Sequence, residues 1–222
     1  MDDLFFYAIE LVNYLKPKIA TFENVEGLMK GQAKNYFNKI IADLHKIGYV
    51  VQVFIVDGST LGLPQKRRRV FFICQRKDFF KRKLNLNFNE QPIPFIKIRD
   101  DSCKEHCQIP HSYFQYYINK KTGDHGLDEV MERLRNKKSF FNSRICYNNE
   151  ILPTITSHSA SQYILADICR TINKNELLSA GSFPKDYNFL NANVRNICYL
   201  IGMSVPPLMS YKISREIARQ LF

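Results

Sequence analysis

The sequence predicts an α/β fold from three observations. Two stretches carry apolar residues at helical spacing, three others are short runs rich in β-branched and aromatic residues, and the two kinds alternate along the first 77 residues. The 222 residues are 45% hydrophobic, enough for the core of one domain, or of one domain and a smaller unit. We therefore expect a parallel sheet with helices, in which the last two strands form an antiparallel pair.

The predicted helices have clear ends. Residues 3–16 place their apolar side chains on one helical face, and Pro17 ends the helix because proline has no amide hydrogen to donate. Residues 32–47 form a second amphipathic segment, with Gly48 as its C-terminal cap. A third helix is expected at the carboxyl end, where a proline pair opens a segment with a packing face.

Three strands are predicted between these helices. The first is "KIATFENV" (18–25), a short buried strand that ends at Glu23. The second is "YVVQVFIVD" (49–57) and the third is "RVFFICQRK" (69–77), with the loop "GSTLGLPQ" between them. The strand–helix–strand order supports the α/β assignment.

The pattern changes between about residues 78 and 147. This stretch is rich in Pro, Asn, Lys and aromatic residues and has no sustained period, so it predicts a smaller unit of loops and short strands. Strand-like patterning resumes at "EILPTITSHSASQYILAD" (150–167). The expected organisation is a first segment at 1–77, an inserted unit at 78–147, and a return to the first domain at 148–222.

The net charge points to a polyanionic partner. It is +11, with a pI near 9.4. The alternative is a composition that is lysine-rich throughout. The first residues resemble no signal peptide, and no apolar run approaches the roughly 20 residues of a membrane span. We therefore expect a cytoplasmic protein with reduced cysteines and no membrane partner.

Several short stretches occur in an ordered series. They are "FENV" (22–25), "LGLPQKRRRVFFI" (61–73), "LPTIT" (152–156), "FPKDYNF" (183–189) and "GMSVPP" (202–207). In order and spacing they resemble the later motifs of the DNA (cytosine-5) methyltransferases of bacterial restriction-modification systems. The resemblance implies the second half of a Rossmann-like S-adenosylmethionine-dependent methyltransferase fold with an inserted target-recognition domain, and double-stranded DNA as partner.

The resemblance also implies catalytic roles. A thiolate that attacks carbon 6 of cytosine pushes negative charge onto the ring, and this charge must be neutralised at N3 and O2. Glu23 matches the acid that contacts N3, although a lone glutamate here could equally be a surface or capping residue. Arg69 matches the guanidinium that holds O2. Because alternate residues of a strand share a face, we expect Arg67 to point toward the same site and support it.

Other motif residues are expected to contact DNA. Gln65 begins the Gln-x-Arg-x-Arg pattern, and Lys66 and Arg68 should point away from the two arginines, toward phosphate or solvent. Thr154 and Thr156 are assigned to the DNA substrate by the resemblance. The target base must leave the stack before reaction, and the basic excess would hold the phosphates.

The cofactor motifs of the family are only partly present. The resemblance places Met203, Ser204 and Val205 at the S-adenosylmethionine site, and Met203 replaces the usual Asn. The sequence has no Gly-x-Gly loop and no Pro-Cys dipeptide, so we expect no methylation by this chain alone. It would be the C-terminal part or subunit of an enzyme completed by an amino-terminal polypeptide, which would also supply most of the cofactor pocket. The alternative is an inactive DNA-binding remnant.

A metal site is not predicted. Cys103, His106, Cys107 and His111 cluster in the sequence, but their spacing matches no familiar zinc pattern.

Overall fold

The computed structural model describes residues 4–139, 143–157 and 162–222. The strand-like stretch expected at 150–167 therefore includes four residues, 158–161, that lie outside the described residues. The chain forms two compact units: the first comprises Met1–Asp57, Arg68–Phe88 and Lys212–Phe222, and the second comprises Gly58–Arg67 and Asn89–Tyr211.

Helices and short strands alternate in the chain. The helices are α1 (Leu4–Leu15), α2 (Ala33–Lys46), α3 (His111–Ile118), α4 (Leu127–Arg135), α5 (Lys174–Ala180), α6 (Val194–Met203) and α7 (Pro207–Leu221). The strands are β1 (Ile19–Val25), β2 (Tyr49–Asp57), β3 (Arg68–Arg76), β4 (Arg144–Cys146) and β5 (Tyr163–Leu165). The two amino-terminal helices, the first three strands and the carboxyl-terminal helix are thus confirmed. None of the described helices is long and apolar enough to cross a membrane.

The first unit contains a three-stranded sheet in the order β1-β3-β2. β3 lies between the other two and runs antiparallel to both. The expected antiparallel pairing of the last two strands is confirmed. β1 and β2 run in the same direction, but they do not pair with each other as a simple parallel sheet would require, because β3 separates them.

Aromatic packing joins α1 to this sheet. The ring of Phe5 stacks on that of Phe22 at 4.9 Å and meets Phe72 edge-on at 5.4 Å. Ile40 and Leu44 of α2 are fully buried in the same core. This packing orders the end of β1, where the candidate acid lies.

The second unit contains two helices that the sequence analysis did not predict. α3 and α4 occupy part of the stretch expected to hold loops and short strands. They form because Tyr116, Leu127 and Val130 are buried in one cluster with Ile145 of β4 and Ile164 of β5. Helices of eight and nine residues are marginal on their own, so tertiary burial decides their formation.

The stretch "LPTIT" is not a regular strand, contrary to expectation. Leu152 forms only an isolated parallel bridge with Gln65, and Pro153 has no amide hydrogen with which to extend the ladder. The amide of Lys66 donates to the carbonyl oxygen of Leu152 at 2.8 Å. The segment therefore lies beside residues 65–66 within the second unit.

Candidate active site

The first unit places Glu23 beside Arg69. The Nε of Arg69 lies 2.9 Å from Oε1 of Glu23. In the antiparallel register Arg69 pairs with Val25, which shares a face of β1 with Glu23. A diagonal neighbour two residues along the strand is within reach of a long side chain. The strand register therefore brings the predicted acid and guanidinium into contact.

This pair is shielded but accessible. The side chain of Arg69 is 13% exposed and that of Glu23 is 25% exposed. Burial lowers the pKa of Arg69, and the neighbouring Glu23 opposes that shift. A cavity of about 300 Å³ borders Glu23 and is lined by Leu4, Phe5, Ala8, Phe22, Asn24 and Tyr36. The site thus combines a carboxylate with an apolar, largely aromatic wall.

Arg67 is a buried cross-link of the second unit. Its side chain is 1% exposed. Its guanidinium donates to the carbonyl oxygens of Ile155 at 2.7 Å, Gly202 at 2.9 Å and Ser204 at 2.6 Å. The catalytic assignment of Arg67 rests on the family resemblance and on strand alternation. The structure holds its guanidinium inside the second unit, and the catalytic assignment stays a prediction.

Gln65, which the resemblance assigns to the DNA, has its side chain engaged inside the second unit. It is fully buried. Its Nε2 donates to the carbonyl oxygen of Ala180 at 2.6 Å, and its Oε1 accepts from the amide of Ile155 at 3.0 Å. A buried side-chain amide needs partners at both ends, and here both ends are satisfied inside the protein.

Lys66 and Arg68 are the exposed members of the basic run. The side chain of Arg68 is 54% exposed, and its Nε lies 3.2 Å from Oε2 of Glu26 in the first unit. Lys66 borders two cavities of the second unit, of about 290 and 370 Å³. Both side chains are open to solvent.

Arg144 is a further cation that the sequence analysis missed. It is exposed, lies at the start of β4, and lines both of the cavities that Lys66 borders. Thr154 and Thr156 line the larger one. Their hydroxyls are engaged within the fold, that of Thr154 with the carbonyl oxygen of Lys66 and that of Thr156 with the hydroxyl of Tyr163. The only sequence signal for Arg144 was a basic residue before a short apolar run.

Residues 202–205 are held tightly by the second unit. A β-carbon on Gly202 would lie 2.2 Å from the carbonyl carbon of Thr156, so only glycine fits there. The Ser204 hydroxyl donates to the carbonyl oxygen of Ile201 at 2.8 Å, and the Ser204 carbonyl accepts from Arg67. Met203 ends α6 with 63% of its surface exposed, and Val205 is half-buried. Met203 is therefore the most exposed side chain of the three residues that the resemblance assigns to the cofactor.

Three cysteines are buried, which disfavours the thiolate that a nucleophile needs. Burial raises the pKa of Cys74 and that of Cys198 to about 12, and it also raises that of Cys146. In residues 4–139, 143–157 and 162–222, no three His, Cys, Asp or Glu side chains are grouped to hold a metal ion.

Comparisons with known proteins identify the family of the chain. Residues 1–219 match the family model described as C-5 cytosine-specific DNA methylase. The chain is 22% identical over 246 residues to type II methyltransferase M.NgoPII of Neisseria gonorrhoeae, covering 98% of this chain and 70% of that protein. It is 25% identical over 280 residues to M.Bpa9945I of Bacillus paralicheniformis, covering 96% of this chain and 63% of that protein. It is 35% identical to M.DdeI of Desulfomicrobium norvegicum over 107 residues, 47% of this chain and 25% of that protein.

Solved structures show the same fold. A prophage-encoded E. coli protein described as a DNA modification methyltransferase matches with a TM-score of 0.70 and 19% identity, covering 99% of this chain and 74% of that one. Dnmt2 methyltransferase of S. pombe matches with a TM-score of 0.66 and 15% identity, covering 100% of this chain and 73% of that one. The fold is therefore that of the α/β S-adenosylmethionine-dependent methyltransferases. With the family match across nearly the whole sequence, the chain belongs to the C-5 cytosine-specific DNA methylase family.

Proposed function

We propose that this chain is the cytosine-binding part of an enzyme that transfers a methyl group from S-adenosylmethionine to carbon 5 of a flipped cytosine in a specific DNA sequence, within a restriction-modification system. The observation that carries the proposal is the contact between Glu23 and Arg69. An acid and a guanidinium at 2.9 Å, partly shielded from water and next to a cavity, suit a polar ring edge that gains negative charge during reaction.

Each member of the pair has its own task. The carboxyl of Glu23 hydrogen-bonds or protonates N3 of the cytosine, and the guanidinium of Arg69 holds O2. Because both groups are oriented by the sheet, they need little rearrangement when the charge develops. Gln65 and Arg67 act indirectly by holding residues 155 and 202–204 in place.

A complementary amino-terminal polypeptide completes the enzyme in this proposal. It carries the Pro-Cys thiolate, which has no counterpart in this sequence, and most of the cofactor pocket. S-adenosylmethionine supplies the methyl group, and Met203 and Val205 lie where the family motif places its contact. α1 supports such a partner, because Leu4, Tyr7, Leu11, Tyr14 and Leu15 leave large apolar areas exposed. β1 is an edge strand of its sheet and can accept a further strand on its outer side.

Reconstitution tests the proposal. The chain is mixed with an amino-terminal methyltransferase polypeptide that carries the Gly-rich loop and Pro-Cys, and tritium transfer from labelled S-adenosylmethionine to DNA is measured. Transfer is expected from the mixture and from neither part alone. Transfer by this chain alone would contradict the assignment of the thiolate to a partner. A folded, associated mixture without transfer would contradict the proposed activity.

The second candidate function is that of a DNA-binding remnant without catalysis. It is favoured by the exposed cations Lys66 and Arg144, which border the same two cavities. This function predicts duplex binding by the chain alone, with log K falling linearly with log salt at about 0.9 per phosphate contact. Replacing Lys66 and Arg68 with Ala should flatten that slope by up to about two contacts. Retained binding together with an inactive reconstituted mixture would select this candidate.

A further inference from the structure

A basic surface lies at one end of the three-stranded sheet, and Glu23 and Arg69 lie at the other end. β3 runs antiparallel to its neighbours, so Arg69 lies beside the ends of β1 and β2, whereas Arg76 lies beside their starts. At about 3.3 Å per residue, the strand separates these two arginines by about 23 Å. Charges at the Arg76 end of the sheet therefore do not belong to the candidate active site.

More than half of the net charge is concentrated at this end of the sheet. Residues 16–18 and 76–83 contain seven basic residues and one acid, Asp78, a net charge of +6 in a chain of +11. Asp78 is paired with Arg76 at 2.7 Å. The remaining cations include five exposed lysines that form no ion pair with a described carboxylate, and we call them the lysine surface: Lys16, Lys18, Lys77, Lys81 and Lys83.

The fold holds the lysine surface in place. The amide of Arg76 donates to the carbonyl oxygen of Lys18 at 3.0 Å, and its guanidinium donates to that of Lys16. The ammonium groups of Lys18 and Lys81 lie 5.3 and 5.4 Å from the centre of the Phe79 ring, so they are within about 11 Å of each other. These contacts distinguish the surface from a loose basic tail.

Several exposed ammonium groups that form no ion pair with a described carboxylate suit a regular polyanion. Duplex DNA presents one negative charge per about 1.7 Å of its axis, so two ammonium groups within about 11 Å of each other can meet neighbouring phosphates. We propose that the lysine surface binds the phosphate backbone of duplex DNA without reading its sequence. It forms a second DNA contact, on a different segment from the one that carries the target cytosine. The choice of DNA rests on the proposed function, in which DNA is the substrate.

Salt-dependent binding of the 222-residue chain tests this inference. The probe is a fluorescent duplex of about 30 base pairs, titrated at several salt concentrations. The variant Lys18→Gln/Lys77→Gln/Lys81→Gln keeps much of each aliphatic stem, and the slope of log K against log salt should fall by up to about three contacts at about 0.9 each. The matched control is Lys34→Gln/Lys39→Gln/Lys46→Gln, which removes three exposed charges from α2 in the same unit. Its slope should stay at the parent value.

Three outcomes would overturn the inference. In the first, the lysine-surface variant keeps the parent slope. In the second, the slopes of both triple variants fall by the same amount, which would mean that only total charge matters. Alternatively, the variant could lose binding to phosphatidylserine vesicles while its DNA slope is unchanged, which would assign the surface to a membrane. Methyl transfer by the reconstituted enzyme is measured separately. Its absence in the parent would contradict the proposed function and leave the slope comparison intact.

Discussion

Arg69 contacts Glu23 from the neighbouring antiparallel strand, with Nε 2.9 Å from Oε1. The two residues are 46 positions apart in the sequence, and the register of β1 against β3 alone makes them neighbours. The same register keeps their exposed fractions low, at 13% for Arg69 and 25% for Glu23. The proposed cytosine chemistry rests on this contact.

Replacing Arg69 with Ala should slow methyl transfer by the reconstituted enzyme. The loss of one donor aimed at a developing oxyanion costs about 2 to 4 kcal/mol, a rate decrease of roughly 30- to 1000-fold. Arg69→Lys should fall between Ala and the parent, because it keeps the charge but loses the planar fork. Single-turnover kinetics measure the effect. Arg215→Ala, at an exposed residue of α7, is the control, and equal rates for the two Ala variants would contradict the role of Arg69.

Replacing Gly202 with Ala should destabilise the protein. The added β-carbon would meet the backbone of Thr156 at 2.2 Å and that of Ser157 at 2.3 Å, so backbone must move. We expect a loss of about 1 to 3 kcal/mol in the free energy of unfolding, measured by urea denaturation. Gly27→Ala is the matched control, because nothing lies within 4 Å of its new carbon. Equal stability of the two variants would show that the close approach at Gly202 is absent.

Replacing Gln65 with Leu should affect stability rather than DNA binding. It leaves the carbonyl of Ala180 and the amide of Ile155 without their buried partners, at a cost of about 1 to 3 kcal/mol for each group. Gln32→Leu is the control, since Gln32 is exposed and caps no helix with its side chain. The salt dependence of DNA binding by the folded variant should match that of the parent. A salt slope of the variant that is lower than the parent's by one contact would support the assignment of Gln65 to the DNA.

Iodoacetamide should distinguish the cysteines by burial. At pH 8 we expect alkylation of the exposed Cys169, whereas Cys74 and Cys198 should react only after unfolding in urea. Burial raises the pKa of both buried thiols to about 12, so they remain protonated and nonnucleophilic across the neutral range. Raising the pH from 7 to 9 should therefore accelerate labelling of Cys169 but not of Cys74. Mass spectrometry of the digested protein measures this, and rapid native labelling of Cys74 would refute it.

The local sequence pattern was sufficient to predict most helices and strands of the first unit. The stripes of α1 and α2, the three strands and the terminal proline-initiated helix are encoded by neighbouring residues, because periodicity and helix-ending residues act over a few positions. The local pattern did not predict α3 and α4. Their apolar residues are stabilised as helices by burial against Ile145 and Ile164.

The sequence by itself determined which residue types are available: an acid at 23, a guanidinium at 69, a basic run between loop and strand, and a glycine at 202. Only the tertiary structure decided which of them meet and which are buried. It paired Arg69 with Glu23 through strand register, and it buried Arg67 among the carbonyl oxygens of Ile155, Gly202 and Ser204. Alternation along a strand is a local rule, whereas the partner that satisfies a buried charge or amide comes from a distant part of the chain.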